Sequence, residues 1–299
     1  MKVMINRKPV SGPWGGGNLF LKAFCNIFSE NGHQVVFSLD SDLDAIFIQD
    51  PRYGNTGVSI EEIKNYKIKN PHVKVFHRVN ECDARKNTTG MDNLLRSCSN
   101  VSTHTFFVSR WIRDYHLEKG WACQSHSVAY NGVDMNHFKT RKKIDNNKTN
   151  IVTHHWSDNP MKGLDYYTFL DQFVGVNDKF TFTYIGNCKG NFQNSKIIPP
   201  LSGLDLGKEL SKYDVYVSGT RFDPGPNHII ESVACGIPTF VYSDGGGAVE
   251  FSGERNTFKN KEELVTLLHS DYSKVTHDYI PNSWEENMLP VMNIMQEYV

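Results

Sequence analysis

Apolar residues fall in short runs of strand length, separated by amphipathic stretches, along the whole chain. That alternation predicts open parallel sheets covered by helices. In the first half the runs predict strands at 2–5, 34–38, 44–48, 73–79, 105–108 and 127–130. Between the first two, the stretch 18–31 sets Leu19, Phe20, Ala23, Phe24, Ile27 and Phe28 on one helical stripe that Gly32 ends. A polar, charged stretch at 139–150 without apolar periodicity is the natural linker. Beyond it the alternation restarts, with strands at 151–154, 180–185, 215–218 and 238–242 and helices at 163–173, 206–212, 227–235 and 261–269. The pattern predicts two similar α/β domains, 1–143 and 150–283, with a terminal helix at 284–299 packing back on the first. Ligands of such sheets bind outside the C-terminal strand ends, so the loops after the strands are where chemistry belongs.

Composition supports two domains, because 299 residues is about twice the usual domain size. An apolar share of 39% and a net charge of −1 exclude a disordered polyelectrolyte. The longest apolar runs fall far short of the roughly 20 residues that span a bilayer, and the N-terminus has no leader-like apolar core, so a cytoplasmic location is expected. The neutral total conceals an asymmetry: residues 1–150 hold 21 Lys and Arg against 14 Asp and Glu, and residues 151–299 hold 11 against 19. The basic half fits an anionic acceptor or peripheral contact with an anionic membrane surface, the inner face included; two solvated surfaces that differ in charge are the alternative. No basic-aromatic module accompanies it, so no nucleic-acid partner is expected. Six cysteines without a C-x-x-C pair read as reduced packing thiols, and no zinc cage is spelled out.

Three loops carry candidate chemistry. Gly12-Pro13-Trp14-Gly15-Gly16-Gly17-Asn18 joins the first strand to its helix, where glycine amides can approach an anion; a purely structural turn is the alternative. It matches neither the dinucleotide fingerprint nor the P-loop. In the second half, His154-His155-Trp156-Ser157-Asp158-Asn159-Pro160-Met161-Lys162-Gly163 opens a helix. A lysine in a first helical turn opposes the macrodipole unless an anion lies beside it, which makes Lys162 a phosphate-ligand candidate as well as a candidate solvated lysine. Adjacent strand histidines point to opposite faces, so His154 and His155 are not expected to share a metal. The third and most specific loop runs from Gly219 through Asp223 and Asn227 to Glu231, then into Gly236-Ile237-Pro238. Carboxylates before and within a helix suit sugar diols, and the helix amides suit a diphosphate; ordinary helix-end stabilisation competes with that reading. Asp40-Ser41-Asp42-Leu43-Asp44 imitates a metal-binding D-x-D pair, but between two short strands it reads better as a turn.

These segments resemble the retaining glycosyltransferases of family 4. Asp223 to Glu231 matches the E-x7-E element, Asn131-Gly132-Val133-Asp134 with Phe138 the N-G-[VI]-D-x-x-x-F segment, and Lys162-Gly163 the K-G element. Gly246-Gly247-Ala248-Val249-Glu250 resembles G-G-x-x-E, Gly15 to Gly17 the N-terminal glycine loop, and Val108-Ser109 the V-S that ends a first-domain strand. The match spans nearly the whole chain. Segment 78–86 and His154-His155-Trp156-Ser157 add likeness to a subgroup. The resemblance implies a GT-B fold, two facing Rossmann-like domains with a cleft between them. It implies that Lys162 neutralises a departing diphosphate, Asp223 touches the sugar and Glu231 holds ribose hydroxyls. Gly16, Gly17, Asn227, His228 and Ile229 would complete the donor cradle with Ser157 and Arg221, and Arg78, Asn80 and Glu81 would face acceptor or sugar. His77 and His104 are further candidates for the sugar.

Two positions depart from the family pattern: Asp223 stands where glutamate is usual, and Ser157 where an arginine is usual. Arg221 or Arg78 would then have to supply the second cation. The reading that follows is a metal-independent retaining transferase without a cofactor, moving a sugar from a nucleoside diphosphate sugar to a glycan or lipid-linked acceptor. A sugar-nucleotide epimerase or phosphorylase on the same architecture, or a non-catalytic sugar-nucleotide-binding protein, remains the alternative.

Overall fold

The computed structural model describes residues 1–12, 14–52, 57–123, 125–140, 144 and 147–299. Positions 141–143, 145 and 146 of the expected linker, and Pro13 of the glycine loop, lie outside the described residues. In chain order the elements are β1 (Lys2–Ile5), α1 (Gly16–Glu30), β2 (Gln34–Val36), β3 (Ala45–Ile48), α2 (Ile60–Lys69), β4 (Lys74–Val79), α3 (Met91–Ser97), β5 (His104–Phe107), α4 (Arg110–Glu118) and β6 (His126–Val128). They continue with β7 (Thr149–His155), α5 (Leu164–Gly175), β8 (Phe180–Gly186), β9 (Lys196–Ile198), α6 (Gly203–Leu210), β10 (Val215–Ser218) and α7 (Asn227–Ala234). Last come β11 (Thr239–Tyr242), α8 (Gly247–Ser252), β12 (Thr257–Phe258), α9 (Lys261–Leu268) and α10 (Trp284–Tyr298).

The chain divides into two compact units. One comprises Met1–Asp83, Thr88–Gly132 and Trp284–Val299; the other comprises Ala84–Asn87 and Val133–Ser283. In the first, six parallel strands take the order β2-β1-β3-β4-β5-β6. Both sheet faces are covered, and the period of two along the strands sorts the core into two layers. Val3, Ile5, Phe47, Phe76 and Phe106 face a cluster with Phe20, Phe24 and Phe28 of α1 and Met288, Val291, Met292 and Met295 of α10. Met4, Ile46, Ile48 and Val75 face the other, against Ile60 and Ile63 of α2.

The second unit also has six parallel strands, in the order β12-β11-β10-β7-β8-β9. Renumbered from β7, this is the 3-2-1-4-5-6 order of a Rossmann sheet read from the β9 edge, and its topological switch lies between β7 and β10. Chain leaving β7 goes to one side of the sheet and chain entering β10 starts the other, so the two following loops diverge around a vacant position where a ligand fits. Ile151, Tyr167, Leu170, Phe182, Val215, Val217 and Phe240 form the core that fixes those strand ends.

Three short elements were invisible to periodicity. β9 is exposed on two of its three residues, β12 has only two residues, and α8 has six. None carries enough residues to show a repeat.

At the switch the two loops touch through backbone. A Cβ on Gly163, whose φ is +86°, would lie 2.3 Å from the Gly219 carbonyl oxygen. Gly163→Ala is therefore expected to cost on the order of 2 kcal/mol or more, from the left-handed conformation and the overlap together. A melting curve should show a drop of at least about 4 °C; an unchanged midpoint would contradict the close approach.

Candidate functional site

The loops after β7 and β10 bring the sequence candidates of the second unit together. Lys162 does not lie in the first turn of a helix, as the sequence pattern predicted. It ends a 3-10 turn, Pro160–Lys162, and α5 starts only at Leu164 after the left-handed Gly163. Pro160 opens that turn, and the Asn159 side chain caps it by accepting from the Met161 amide at 2.8 Å. The anion beside Lys162 is a carboxylate of the protein: Lys162 Nζ donates to Asp223 Oδ2 at 2.5 Å.

Asp223 is held from three directions. Its amide donates to the Gly245 carbonyl at 3.2 Å, and its carbonyl accepts from Gly247 at 2.8 Å. The preceding residue, Phe222, has φ of +50°, an uncommon conformation for a bulky side chain, and its amide is tied to the Asp244 carbonyl at 2.8 Å. Gly246, at φ +69°, completes the zipper, because a Cβ there would sit 2.8 Å from the Asp223 carbonyl oxygen. The G-G-x-x-E resemblance thus has a local cause: its glycines let one loop's backbone clamp the other's. Burial disfavours the charged form of Asp223, but the nearby Lys162 and Arg85 charges and the Lys162 hydrogen bond outweigh it and hold the carboxyl at about 2.

Eight residues on, Glu231 lies in the fifth position of α7 and is buried. Its Oε2 is 2.8 Å from His154 Nε2. A carboxylate can only accept, so His154 carries its proton on Nε2; its buried Nδ1 has no hydrogen-bond partner among the described residues. Tyr216 braces the strand end, with its hydroxyl accepting from the His154 amide at 3.1 Å. Sequence reasoning examined His154 only as a metal ligand and missed this pairing. The two residues are 77 apart in sequence, and no local pattern signals their meeting.

His228 and His155 fill the floor. Nε2 of His228 is 3.1 Å from Ser218 Oγ, and Nε2 of His155 is 2.5 Å from the Tyr167 hydroxyl. Their rings meet edge to face, 4.7 Å between centroids. No side chain caps the start of α7, although the Ile229 amide is already committed to the Pro226 carbonyl at 3.0 Å. The positive end of α7 is therefore presented by the residues around Asn227 and His228. Ser157 is exposed and its hydroxyl accepts from the Asn159 amide at 3.2 Å. Arg221 spends its fork on Asp165, at 3.0 and 2.7 Å, with the guanidinium 4.9 Å from the centre of the Tyr242 ring. A bidentate pair of this kind holds an arginine in place, which sets Arg221 apart from the Lys162–Asp223 pair.

The remaining candidates lie in the first unit and form a second group. Gly16 and Gly17 open α1, whose N-terminus no side chain caps. Asn18 pins the loop before it by exchanging two hydrogen bonds with the Val10 backbone, at 2.8 and 2.9 Å. Gly17 is close to the amide groups of Gln49 and Asn80. Arg78 is fully buried, donating to Gln49 at 3.2 Å and Asn131 at 2.6 Å, with its guanidinium 4.0 Å from the centre of the Phe20 ring. Glu81 is buried, and its Oε1 accepts weakly from the Cys82 amide at 3.4 Å. His77 is sealed inside the core, and His104, at the N-terminal end of β5, is engaged with Ser125 and Ser127, so neither stands at a strand's C-terminal end. The Asp40–Asp44 turn is occupied by Lys2, whose Nζ meets Asp40 at 2.9 Å and Asp42 at 2.5 Å.

No family model matches the chain, and no curated protein sequence does. Solved structures do match in fold. Sucrose-phosphate synthase from Thermosynechococcus elongatus superposes with a TM-score of 0.72 at 11% identity, covering 99% of this chain and 98% of that one. Anabaena HepE, solved with UDP and glucose, gives 0.71 at 12% identity over 99% of both chains. The lipopolysaccharide outer core galactosyltransferase WaaB gives 0.69 at 12% over 98% and 99%. The chain therefore has the two-sheet α/β fold of GT-B glycosyltransferases. No described helix is long and apolar enough to cross a membrane.

The buried histidines make the site's pH dependence predictable. Burial, with the Lys162 and neighbouring histidine charges, holds His155 and His228 well below the ordinary histidine value, so both are neutral. Unfolded histidines take up protons near pH 6.5 and these do not. Their stabilisation is therefore complete above about pH 6.5 and declines as the pH falls toward 5, by up to about 1.4 kcal/mol per pH unit for each histidine. Denaturant titrations at pH 7, 6 and 5 should show this decline, and His228→Gln should flatten it. A wild-type profile that is level across that range would contradict neutral, buried histidines.

Proposed function

We propose that the protein transfers a sugar from a nucleoside diphosphate sugar to an acceptor hydroxyl, with retention of anomeric configuration and without a divalent metal. The observation that carries this reading is the Lys162–Asp223 pair set beside the uncapped start of α7 at the switch point of a Rossmann sheet. A lysine ammonium and helix amides there suit a diphosphate, and two buried carboxylates suit sugar and ribose hydroxyls. The structural neighbours are glycosyltransferases, one of them solved with UDP-glucose.

In this reading Glu231, oriented by His154, accepts from the ribose hydroxyls through its second oxygen. Asp223 accepts from a hydroxyl of the transferred sugar while keeping Lys162 aimed at the distal phosphate. Departure of the diphosphate builds negative charge on that phosphate, and Lys162 with the α7 amides is arranged in advance to meet it. The departing phosphate oxygen takes the acceptor proton as the acceptor attacks from the same face, so no side chain acts as a covalent nucleophile. The amides of Gly16 and Gly17 at the start of α1 are assigned to the donor, and Arg78, Asn80 and Glu81 to the sugar and acceptor. The basic excess of the first half suits an anionic glycan or a lipid-linked acceptor.

A melting-temperature panel of nucleotide sugars identifies the donor, since a ligand that binds only the folded state raises the midpoint. With that donor, Lys162→Ala is expected to lower kcat by about 100-fold or more while the protein stays folded. Chelating divalent ions should leave wild-type turnover unchanged. Wild-type turnover in Lys162→Ala would remove that residue from the site, and loss of turnover on chelation would overturn the metal-independent route.

A further inference from the structure

The first sheet has a switch point of its own. Its order puts β2 on one side of β1 and β3 on the other, so the loops after β1 and β3 diverge there. Gln49 follows β3, Asn80 follows β4, and Gly17 is the second residue of α1, all within the first unit. A Cβ on Gly17 would lie 3.5 Å from Gln49 Nε2 and 3.8 Å from Asn80 Nδ2. A glycine at this position therefore leaves both carboxamides lining one recess, beside a helix start that no side chain caps.

The orientation of Gln49 is fixed. Arg78, itself fully buried, can only donate, and it donates to Gln49 Oε1 at 3.2 Å, which turns Nε2 away from the guanidinium. Gln49 is 4% exposed, yet its Nε2 has no hydrogen-bond partner among the described residues. That nitrogen is not sealed in, as the partnerless nitrogens of His77 are. Asn80 is half-buried, and its carboxamide makes no hydrogen bond with any described residue. Amide hydrogens left unmatched in a recess cost free energy, so a ligand that engages them gains it. Two uncharged carboxamides offer N–H and C=O together. That set matches neighbouring sugar hydroxyls, which both donate and accept, whereas a carboxylate or phosphate would leave the Asn80 carbonyl oxygen without a donor. We propose that Gln49 and Asn80 recognise two hydroxyls of an uncharged sugar ring in the acceptor, with Arg78 acting through Gln49 rather than on the sugar. This rests on the transferase reading above, and it brings in Gln49, a residue that no motif marked.

The test reads the two side-chain carboxamides directly, by the nitrogen–proton resonances of the full chain labelled with nitrogen-15. Asn80→Ala identifies one signal by its loss, and Gln49→Glu, which keeps an oxygen for Arg78, identifies the other. The methyl glycosides of glucose, galactose, mannose and N-acetylglucosamine are then titrated into wild type, with the methyl glycoside of glucuronic acid and inorganic phosphate as charged probes. Both signals are expected to move together with at least one neutral glycoside. Asn80→Ala should bind that glycoside about fivefold more weakly or worse, as the loss of a hydrogen bond predicts, while its melting midpoint stays at the wild-type value. Adding the nucleotide sugar chosen by the melting panel should leave the glycoside bound; its displacement would give the pair to the transferred sugar and overturn the acceptor assignment. Signals that stay still with every neutral glycoside up to about 50 mM, or that respond more tightly to either charged probe, would also overturn it. So would an Asn80→Ala affinity within about twofold of wild type. In each of these cases a protein that binds a nucleotide sugar keeps the transferase reading. Carboxamides that respond to glycosides in a protein that binds no nucleotide sugar would instead overturn that reading.

Discussion

A buried carboxylate cannot stay charged without a partner, and the second unit is arranged around satisfying that requirement at Asp223. Its partner, Lys162, comes from the loop after β7, whereas Asp223 comes from the loop after β10, so the ion pair ties together the two loops that part at the switch. The Gly163–Gly219 backbone approach and the Arg221 amide donating to the Met161 carbonyl at 2.8 Å fix the same two loops. Removing one partner of such a pair leaves an uncompensated buried charge, which costs more than the pair itself contributes. That asymmetry keeps the ammonium beside Asp223.

A second pair works in parallel. His154 fixes one oxygen of Glu231, and the neutral His155 and His228 form a floor that is polar but uncharged. The floor therefore adds no positive charge of its own. Beside this floor the charged groups are the paired Lys162 and Asp223.

Much of the architecture was legible in the sequence because both sheets are parallel and buried on two faces, which writes strands as short apolar runs. The 215–218 strand and the 2–5 strand were readable to the residue, and the start of α7 at Asn227 followed from the proline-rich loop before it. Short polar or two-residue strands such as β9 and β12 leave no periodic trace. At the site, motif spacing located Lys162, Asp223 and Glu231, but spacing cannot say which of them touch. The segment was read as opening a helix with Lys162 in its first turn, whereas the proline at 160 and the left-handed Gly163 make a separate 3-10 turn. The His154–Glu231 pairing was missed because its partners lie far apart in sequence and only the folded sheet order brings them together.

The most direct measurement is a crystal structure of the protein with UDP, or with GDP or ADP if either binds better. The account predicts distal phosphate oxygens within about 3 Å of Lys162 Nζ, with the Lys162–Asp223 pair intact. A diphosphate bound elsewhere, with Lys162 still facing Asp223 alone, would contradict it.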